Sequence, residues 1–189
     1  MTTSPIAEST QALIQRQTWL PPLAEELHGL VERAYEALPD DGEAVSDLLH
    51  GTWLGHPLHP ALTDIPIGAW SVAAALDLME AFGVKRFAAG ADAAVGFGVA
   101  GSIAALATGW NDWHRIGGGP RSRRALTTGL VHGLLNEAGV FLQVGSLLAR
   151  RRGRRGLGRL LSFTGLGVTL ASAYLGGQLV FEDAVGVRE

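Results

Sequence analysis

Two histidines three residues apart stand where the first long apolar stretch of the chain begins. They belong to the segment Gly55-His56-Pro57-Leu58-His59-Pro60, in which two prolines restrict the backbone. Histidine is the commonest metal ligand in proteins and an axial ligand of haem iron, and it binds through one ring nitrogen while a hydrogen bond holds the other. His56 and His59 therefore predict a haem b or metal site. Helix capping and anchoring at the lipid headgroups is an equally open interpretation.

A second polar group interrupts an apolar stretch further along the chain. His132 and Asn136 are four residues apart, so they share one face of a helix, and Glu137 follows directly. Ionisable side chains inside a membrane span are costly and by default face the interior of a helix bundle, where they find partners. The group predicts either a functional site or a network of hydrogen bonds between helices, and both interpretations stay open.

Four apolar stretches position these residues, and each is long enough to cross a bilayer, which takes about 17–25 residues. They lie at about residues 62–82, 88–110, 125–149 and 159–181. Short connections make consecutive helices antiparallel neighbours, so residues 51–189 predict an integral membrane domain with an all-α, up-down four-helix bundle. The absence of cysteine excludes thiolate catalysis and an iron–sulfur cluster held by this chain.

Residues 1–50 predict a separate, soluble and acidic segment. After Pro21-Pro22, apolar residues recur at helical spacing, with the glutamates largely off that stripe, and the residues Pro39-Asp40-Asp41-Gly42 predict a turn. Because anionic headgroups repel an acidic face, this amphipathic helix is expected to dock on the protein's own membrane domain or on a partner. His28 and His50 are expected to be surface residues.

Connectivity brings polar residues from all four spans to one membrane face. The residues predicted there are His56, His59, Asp64, Asp112, His114, His132, Gln178 and Glu182, with Trp53, Trp110 and Trp113 as interfacial aromatics. The predicted ligands are His56, His59 and His132, with Asp64 as a further metal ligand. The residues expected to surround them are Asp112, Asn136, Glu137 and Gln178. The opposite face receives Asp77, Asp92 and an arginine-rich loop.

Two glycine patterns are better explained by helix packing than by ligand binding. The run Gly96-Phe97-Gly98-Val99-Ala100-Gly101 matches a dinucleotide fingerprint, but it lies in an apolar span with no preceding strand. Gly129 and Gly133 form a G-x-x-x-G pair, which is expected to let another backbone approach closely.

Charge excludes one class of partner and gives a weak orientation signal. A net charge of −3 gives no indication of nucleic-acid binding. Basic residues near the span ends number eight on one side and five on the other, which favours both termini outside the cytoplasmic membrane. The eight are Lys85, Arg86, Arg150, Arg151, Arg152, Arg154, Arg155 and Arg159, and the five are Arg115, Arg121, Arg123, Arg124 and Arg188.

Several motifs together resemble a known bacterial membrane family. They are GHPLHPALTDIPIGAW, ADAAVG, ATGWNDW, GLVHGLLN, ARRRGRRGLGR and YLGGQLVFEDAVGV. Over roughly residues 45–187 the chain resembles the family called domain of unknown function 2231. The resemblance implies a four-helix module of the bacterial inner membrane. Some members are fused to a Rieske-type iron–sulfur domain, which implies electron-transfer surroundings and, for this chain, a separate Rieske partner.

The resemblance also carries particular positions to this chain. They are His56, His59, Asp64, Asp112, His132 and Asn136. Gln178 departs from the family pattern, because relatives often have a histidine after the paired glycines of the last helix. If that histidine is a ligand elsewhere, this protein lacks one ligand or uses another in its place.

Three functions stay open. The first is a redox module with haem b or a metal ion at the predicted histidines. The second is a scaffold whose polar cluster only orders the bundle while the acidic segment recruits a partner. The third is a small transporter or proton path through Glu137. A homo-oligomer is compatible with each. No nucleophile, general base and substrate pocket can be assigned together, so the sequence does not predict an enzyme.

Overall fold

The computed structural model describes residues 4–38, 41–117 and 120–186, and every regular element in those ranges is helical. The seven α-helices are α1 (Pro5–Gln15), α2 (Leu20–Glu36), α3 (Gly42–His50), α4 (Leu58–Ala81), α5 (Ala88–His114), α6 (Pro120–Arg151) and α7 (Arg155–Phe181). Short 3₁₀ helices at Thr52–Leu54 and Lys85–Phe87 precede α4 and α5. The prediction of an all-α protein is confirmed.

The N-terminal helices begin and end at residues suited to those positions. The Ser4 hydroxyl accepts a hydrogen bond from the backbone N–H of Ala7 at 3.2 Å, which caps the start of α1. α3 ends at Gly51, whose φ of 91° is a left-handed conformation that glycine adopts without strain. The amphipathic helix predicted after Pro21-Pro22 is α2. Pro39 and Asp40 of the predicted turn, like Arg188 of the charge count, lie outside the described residues.

Three helices of the described chain are long and apolar enough to cross a membrane: α4, α5 and α7. The hydropathy of their most apolar windows averages 1.2, 1.5 and 1.3. The fourth predicted span, 125–149, lies inside α6, which is 32 residues long but is not one of the three. Its hydropathy is lowered by the polar residues of its middle turns, His132, Asn136 and Glu137.

The chain divides into two compact units. The first comprises Met1–Leu58, Thr108–Gly133 and Ala173–Glu189, and the second comprises His59–Ala107 and Leu134–Ser172. The segment predicted as a separate region at residues 1–50 therefore shares its unit with the end of α5, the start of α6 and the end of α7.

Glycines of α5 in the second unit receive large side chains from α4. A Cβ on Gly98 would collide with the indole ring of Trp70, and a Cβ on Gly101 would lie 2.5 Å from Cγ2 of Ile65. The Trp70 ring is buried and donates its N–H to the carbonyl of Val95 at 3.3 Å. The G-x-G-x-x-G run is thus a packing surface between helices, as expected.

Candidate functional site

The apolar stripe of α2 packs on the chain's own helices. Ala24 is fully buried in a core with Trp113 of α5 and Leu130 of α6. The partly buried residues around this core are Leu23, Leu27, Val31, Trp110, Ile116 and Leu126. Of the two docking surfaces expected for this helix, the structure shows the protein's own helices rather than a partner.

A buried amide contact joins α1 to α7. Nε2 of Gln11 donates to Oε1 of Gln178 at 2.7 Å, and the hydroxyl of Thr128 lies 3.4 Å from the Gln11 amide. All three side chains are buried. Within the described residues, Nε2 of Gln178 is a buried donor without a hydrogen-bond partner. Gln178, predicted to surround a cofactor, therefore binds a residue of the N-terminal segment.

Polar contacts hold α2 and α3 against the end of α5. The Tyr35 hydroxyl donates to Oδ1 of Asn111 at 2.8 Å, and Nδ2 of Asn111 donates to the carbonyl of Ser46 at 3.0 Å. Asn111 is fully buried. Burial, followed by the nearby Asp112 carboxylate, raises the pKa of Tyr35. Because both hydrogen-bonding arms of Asn111 are used, one residue of α5 ties α2 to α3.

The ion pair between Arg115 and Asp47 adds a charged contact to the same surface. Nη1 of Arg115 donates to Oδ1 of Asp47 at 2.9 Å. This hydrogen bond is the main cause that lowers the pKa of the Asp47 carboxyl below its usual value.

Two histidines of the N-terminal segment are not surface residues, so that expectation was wrong. His50 is buried, and its Nδ1 donates to Oδ1 of Asp112 at 2.7 Å. Nε2 of His28 donates to the backbone carbonyl of His114 at 3.0 Å. Both rings thus lie on the docked side of their helices, with His50 buried and His28 half-buried. Asp112, predicted near a cofactor, lies within hydrogen-bonding distance of His50.

Aromatic rings from α2 and α5 form a connected row in the first unit. The Tyr35 and His114 rings are stacked with centroids 4.1 Å apart, and the His114 and His28 centroids are 6.2 Å apart. His28 meets Trp113 edge to face at 5.2 Å, and Trp113 meets Trp110 in the same way at 5.2 Å. Nδ1 of His114 is buried and, among the described residues, has no hydrogen-bond partner.

The expected roles of the tryptophans and of Gly129 and Gly133 need correction. A Cβ on Gly129 would lie 2.5 Å from Cδ1 of Trp113, and a Cβ on Gly133 would lie 3.5 Å from Cζ2 of Trp110. The G-x-x-x-G pair therefore accommodates indole rings rather than another backbone. Trp113 is buried in protein and is not an interfacial aromatic, whereas Trp53 is 65% exposed.

The predicted ligands lie in both units. In the first unit, His56 is exposed, and its Nδ1 donates to the Pro57 carbonyl at 3.2 Å. The His132 ring packs against Gly176 of α7, where an added Cβ would lie 3.0 Å from Cε1 of His132. In the second unit, Nδ1 of His59 donates to the Ala105 carbonyl at 2.9 Å. Asp64 is exposed there, and Asn136 and Glu137 are half-buried. Residues 4–38, 41–117 and 120–186 contain no group of three or more His, Asp or Glu placed to hold a metal ion.

A cluster of arginines and carboxylates lies at the other predicted face, within the second unit. Arg150 is buried and donates to both carboxylate oxygens of Asp77, with Asp92 at 2.9 Å from its Nη1. Arg155 pairs with Glu80 at 2.8 Å and with Asp92 at 2.9 Å. Connectivity placed Asp77, Asp92 and the arginine-rich loop at this face, but the arginines were interpreted only as topology signals. Their pairing with the carboxylates of α4 and α5 was not predicted.

Comparison with known proteins extends this description. A family model described as "Predicted membrane protein (DUF2231)" matches residues 55–189. The chain belongs to this family. The comparisons with curated proteins and with solved structures gave no match. The suspected resemblance is confirmed, and the three apolar helices found here agree with a membrane protein.

The hydrogen bonds between the N-terminal helices and the helices α5 and α7 join the DUF2231 region to residues that precede it. The DUF2231 region contributes Asn111, Asp112 and Gln178, which lie on α5 and α7. Their partners Tyr35, His50 and Gln11 come from helices upstream of the family match. The DUF2231 helices of this protein thus carry a specific layer of N-terminal helices.

Proposed function

We propose that this DUF2231 protein is a membrane scaffold that holds its N-terminal helices at one membrane face and presents the acidic outer side of α2 to a water-soluble partner. One observation carries the proposal. The inner sides of α2 and α3 are used for docking through Ala24 and His50, while Glu26, Glu32 and Glu36 are exposed. The exposed carboxylates of α2 outnumber its one exposed arginine, Arg33, and therefore favour a partner with a basic surface.

In this proposal α4–α7 cross the membrane as an up-down four-helix bundle, with α6 as the fourth span. The buried polar residues of α6 do not oppose a span, because they are satisfied by protein. Gln143 exchanges two hydrogen bonds of 3.0 Å with Ser162 of α7, and the Ser146 hydroxyl donates to the Gly158 carbonyl at 2.7 Å. Polar side chains that bind α7 are not presented to lipid.

The state of the buried polar groups favours a structural role for them. Among the described residues, four buried side-chain atoms lack a hydrogen-bond partner: His114 Nδ1, Arg159 Nε, Thr169 Oγ1 and Gln178 Nε2. His114 ends α5, and Arg159, Thr169 and Gln178 follow one another along α7 at intervals of 10 and 9 residues, so the three groups of α7 do not converge on one pocket. A largely satisfied polar network rigidifies a fold, whereas a reactive centre needs groups directed at a substrate.

Site-specific photocrosslinking in cells tests the scaffold. A crosslinking residue at Ala37, which is exposed at the end of α2, is expected to capture one defined water-soluble protein. Replacing Glu26, Glu32 and Glu36 together with Gln should abolish that product, and Glu43→Gln, an equally exposed change on α3, should not. The purified partner should then bind proteoliposomes less tightly as salt rises. A product insensitive to both the triple substitution and salt would refute the scaffold.

A redox role with haem b or a metal ion is the second candidate, and one contact favours it. Because the Ala105 carbonyl can only accept, Nδ1 of His59 must carry the proton. This tautomer places the lone pair on Nε2, which is the form that binds a metal or haem iron. The contact therefore orients the ring in the way that a backbone carbonyl orients a ligating histidine through its other ring nitrogen.

A visible absorption spectrum of the purified protein, oxidised and then reduced, tests this candidate together with metal analysis. A haem band that disappears in His59→Ala and in His132→Ala but persists in His28→Ala would support it. A colourless and metal-free protein that is fully folded would exclude it.

A further inference from the structure

α1 carries different side chains on three sides. Those buried against the rest of the first unit are Ala7, Gln11 and Ile14. Ile6 and Leu13, seven residues and thus two turns apart, lie on one flank and are 67% and 60% exposed. Glu8 and Gln15, also seven residues apart, are exposed on the other flank. At 3.6 residues per turn the two flanks are about 160° apart, so α1 has an apolar and a polar exposed side.

The contact between Gln11 and Gln178 fixes the position of α1 along α7. Their hydrogen bond is 2.7 Å long, and Gln178 precedes Phe181, the last residue of α7, by three positions, which is about 4.5 Å of helix. α7 is one of the helices able to cross the membrane. α1 therefore lies beside the final turn of a membrane span, where the hydrocarbon gives way to the headgroups.

The residues around α1 include a further exposed aromatic side chain and a cavity with basic groups. Trp19, four positions after the end of α1, is 57% exposed, and tryptophan is enriched at membrane interfaces. On the polar flank, Gln15 lines a cavity of about 230 Å³ together with Arg123 and Arg124 of α6. Exposed apolar chains on one side of a helix and polar groups on the other are typical of a helix that lies in the plane of an interface.

We propose that α1 and Trp19 form a lipid-binding surface in which Ile6, Leu13 and Trp19 contact acyl chains at the headgroup boundary while Glu8 and Gln15 face water. The partner is the lipid bilayer itself. The inference goes beyond the proposed scaffold, which requires only the docking of α2 and α3. It also assigns the two amphipathic helices different surroundings: the Ile6 and Leu13 flank of α1 lies in lipid, and the acidic α2 presents its outer side to water.

Spin labels at two positions of α1 test the proposal, because the chain has no native cysteine and each label is unique. Leu13→Cys and Gln15→Cys are matched variants, since both positions are exposed and they lie on opposite flanks. The full-length protein is reconstituted in phospholipid vesicles, and the relaxation of each nitroxide by oxygen, which concentrates in lipid, is compared with relaxation by a water-soluble nickel chelate. We expect the label at 13 to favour oxygen and the label at 15 to favour nickel.

Equal access of nickel to both labels would overturn the proposal, because it would place the Ile6 and Leu13 flank in water. A label at 13 shielded from both reagents would overturn it as well, because a protein surface rather than lipid would then cover this flank. Ile6→Cys, one heptad before Leu13, must reproduce the behaviour of the label at 13. Neither outcome depends on a soluble partner, so failure here is distinguishable from failure of the scaffold.

Discussion

The side-chain amide of Gln11 donates a 2.7 Å hydrogen bond to Gln178 across 167 positions of sequence. Gln11 lies upstream of the DUF2231 match, and Gln178 lies within it. Both side chains are buried, so the bond is shielded from competing water. Gln178, which follows the paired glycines of α7, is thus a contact that holds α1 in place.

Replacing Gln11 with Leu is expected to release α1. The change leaves the buried Oε1 of Gln178 without its donor, which costs about 1–3 kcal/mol. Amide hydrogen exchange should then accelerate in Pro5–Gln15, and Gln178→Leu should have the same effect. Gln15→Leu, at an exposed position of the same helix, serves as the control and should leave exchange unchanged. Unaltered protection of α1 in Gln11→Leu would contradict this role.

Removing the carboxylate of Asp77 is expected to destabilise the fold. Its side chain is 0% exposed and that of Arg150 is 1% exposed, and breaking a buried pair by removing one partner costs about 3–5 kcal/mol. Arg150 retains Asp92, so Asp77→Asn should lie at the lower end of that range. Thermal unfolding in detergent measures the loss.

A solvent-exposed ion pair provides the matched control for Asp77→Asn. Arg123 and Glu25 are 2.7 Å apart, with 70% and 48% of their side chains exposed. Such pairs contribute about 0–1 kcal/mol, so Glu25→Gln should leave the melting temperature nearly unchanged. Equal shifts in the two variants would mean that burial does not determine the strength of these pairs.

Helix positions, and the grouping of Asp77 and Asp92 with the arginine-rich loop, could be predicted because they follow from hydropathy and connectivity alone. Apolar length located α4, α5 and α7, and connectivity placed Asp77, Asp92 and the arginine loop together, where Arg150 indeed binds both carboxylates. Neither kind of argument needs the rotation of a helix about its own axis.

The residue that each polar or aromatic side chain contacts could not be predicted. Such contacts depend on the rotation of each helix about its own axis and on the docking of the N-terminal segment. Asp112 was grouped with the predicted ligands, yet it lies 2.7 Å from His50, a residue expected to be on the surface. Trp113 was expected at the lipid interface, yet its ring fills the space above Gly129. A pattern of small residues shows that something approaches a helix, but it does not show whether a backbone or an indole ring does so.

A methyl group at Gly98 is expected to disturb the second unit, although alanine is the better helix former. Its Cβ would collide with the Trp70 ring, which is buried and held by Val95, and overpacking of this kind costs about 1–3 kcal/mol. Gly96→Ala, two residues away with open space around the new methyl, should be neutral or stabilising by up to about 1 kcal/mol. The melting temperatures of Gly98→Ala and Gly96→Ala, measured in the same detergent, test both expectations. A tolerated Gly98→Ala would mean that the ring is not confined there.

Alkaline pH is expected to release α2, because burial and the Asp112 carboxylate raise the pKa of Tyr35 above its usual value of about 10. The undocked tyrosine then ionises before the docked one. This contribution to docking is therefore complete below about pH 10 and is lost as the pH rises through the raised pKa.

Tyr35→Phe loses the hydrogen bond to Asn111 at neutral pH but should abolish the alkaline dependence. Tyr35 and Tyr174 are the two tyrosines of the chain, so tyrosinate absorbance in Tyr174→Phe follows Tyr35 alone. Ionisation of Tyr35 at its usual pKa, or an alkaline loss that persists in Tyr35→Phe, would show that this hydroxyl does not report on docking.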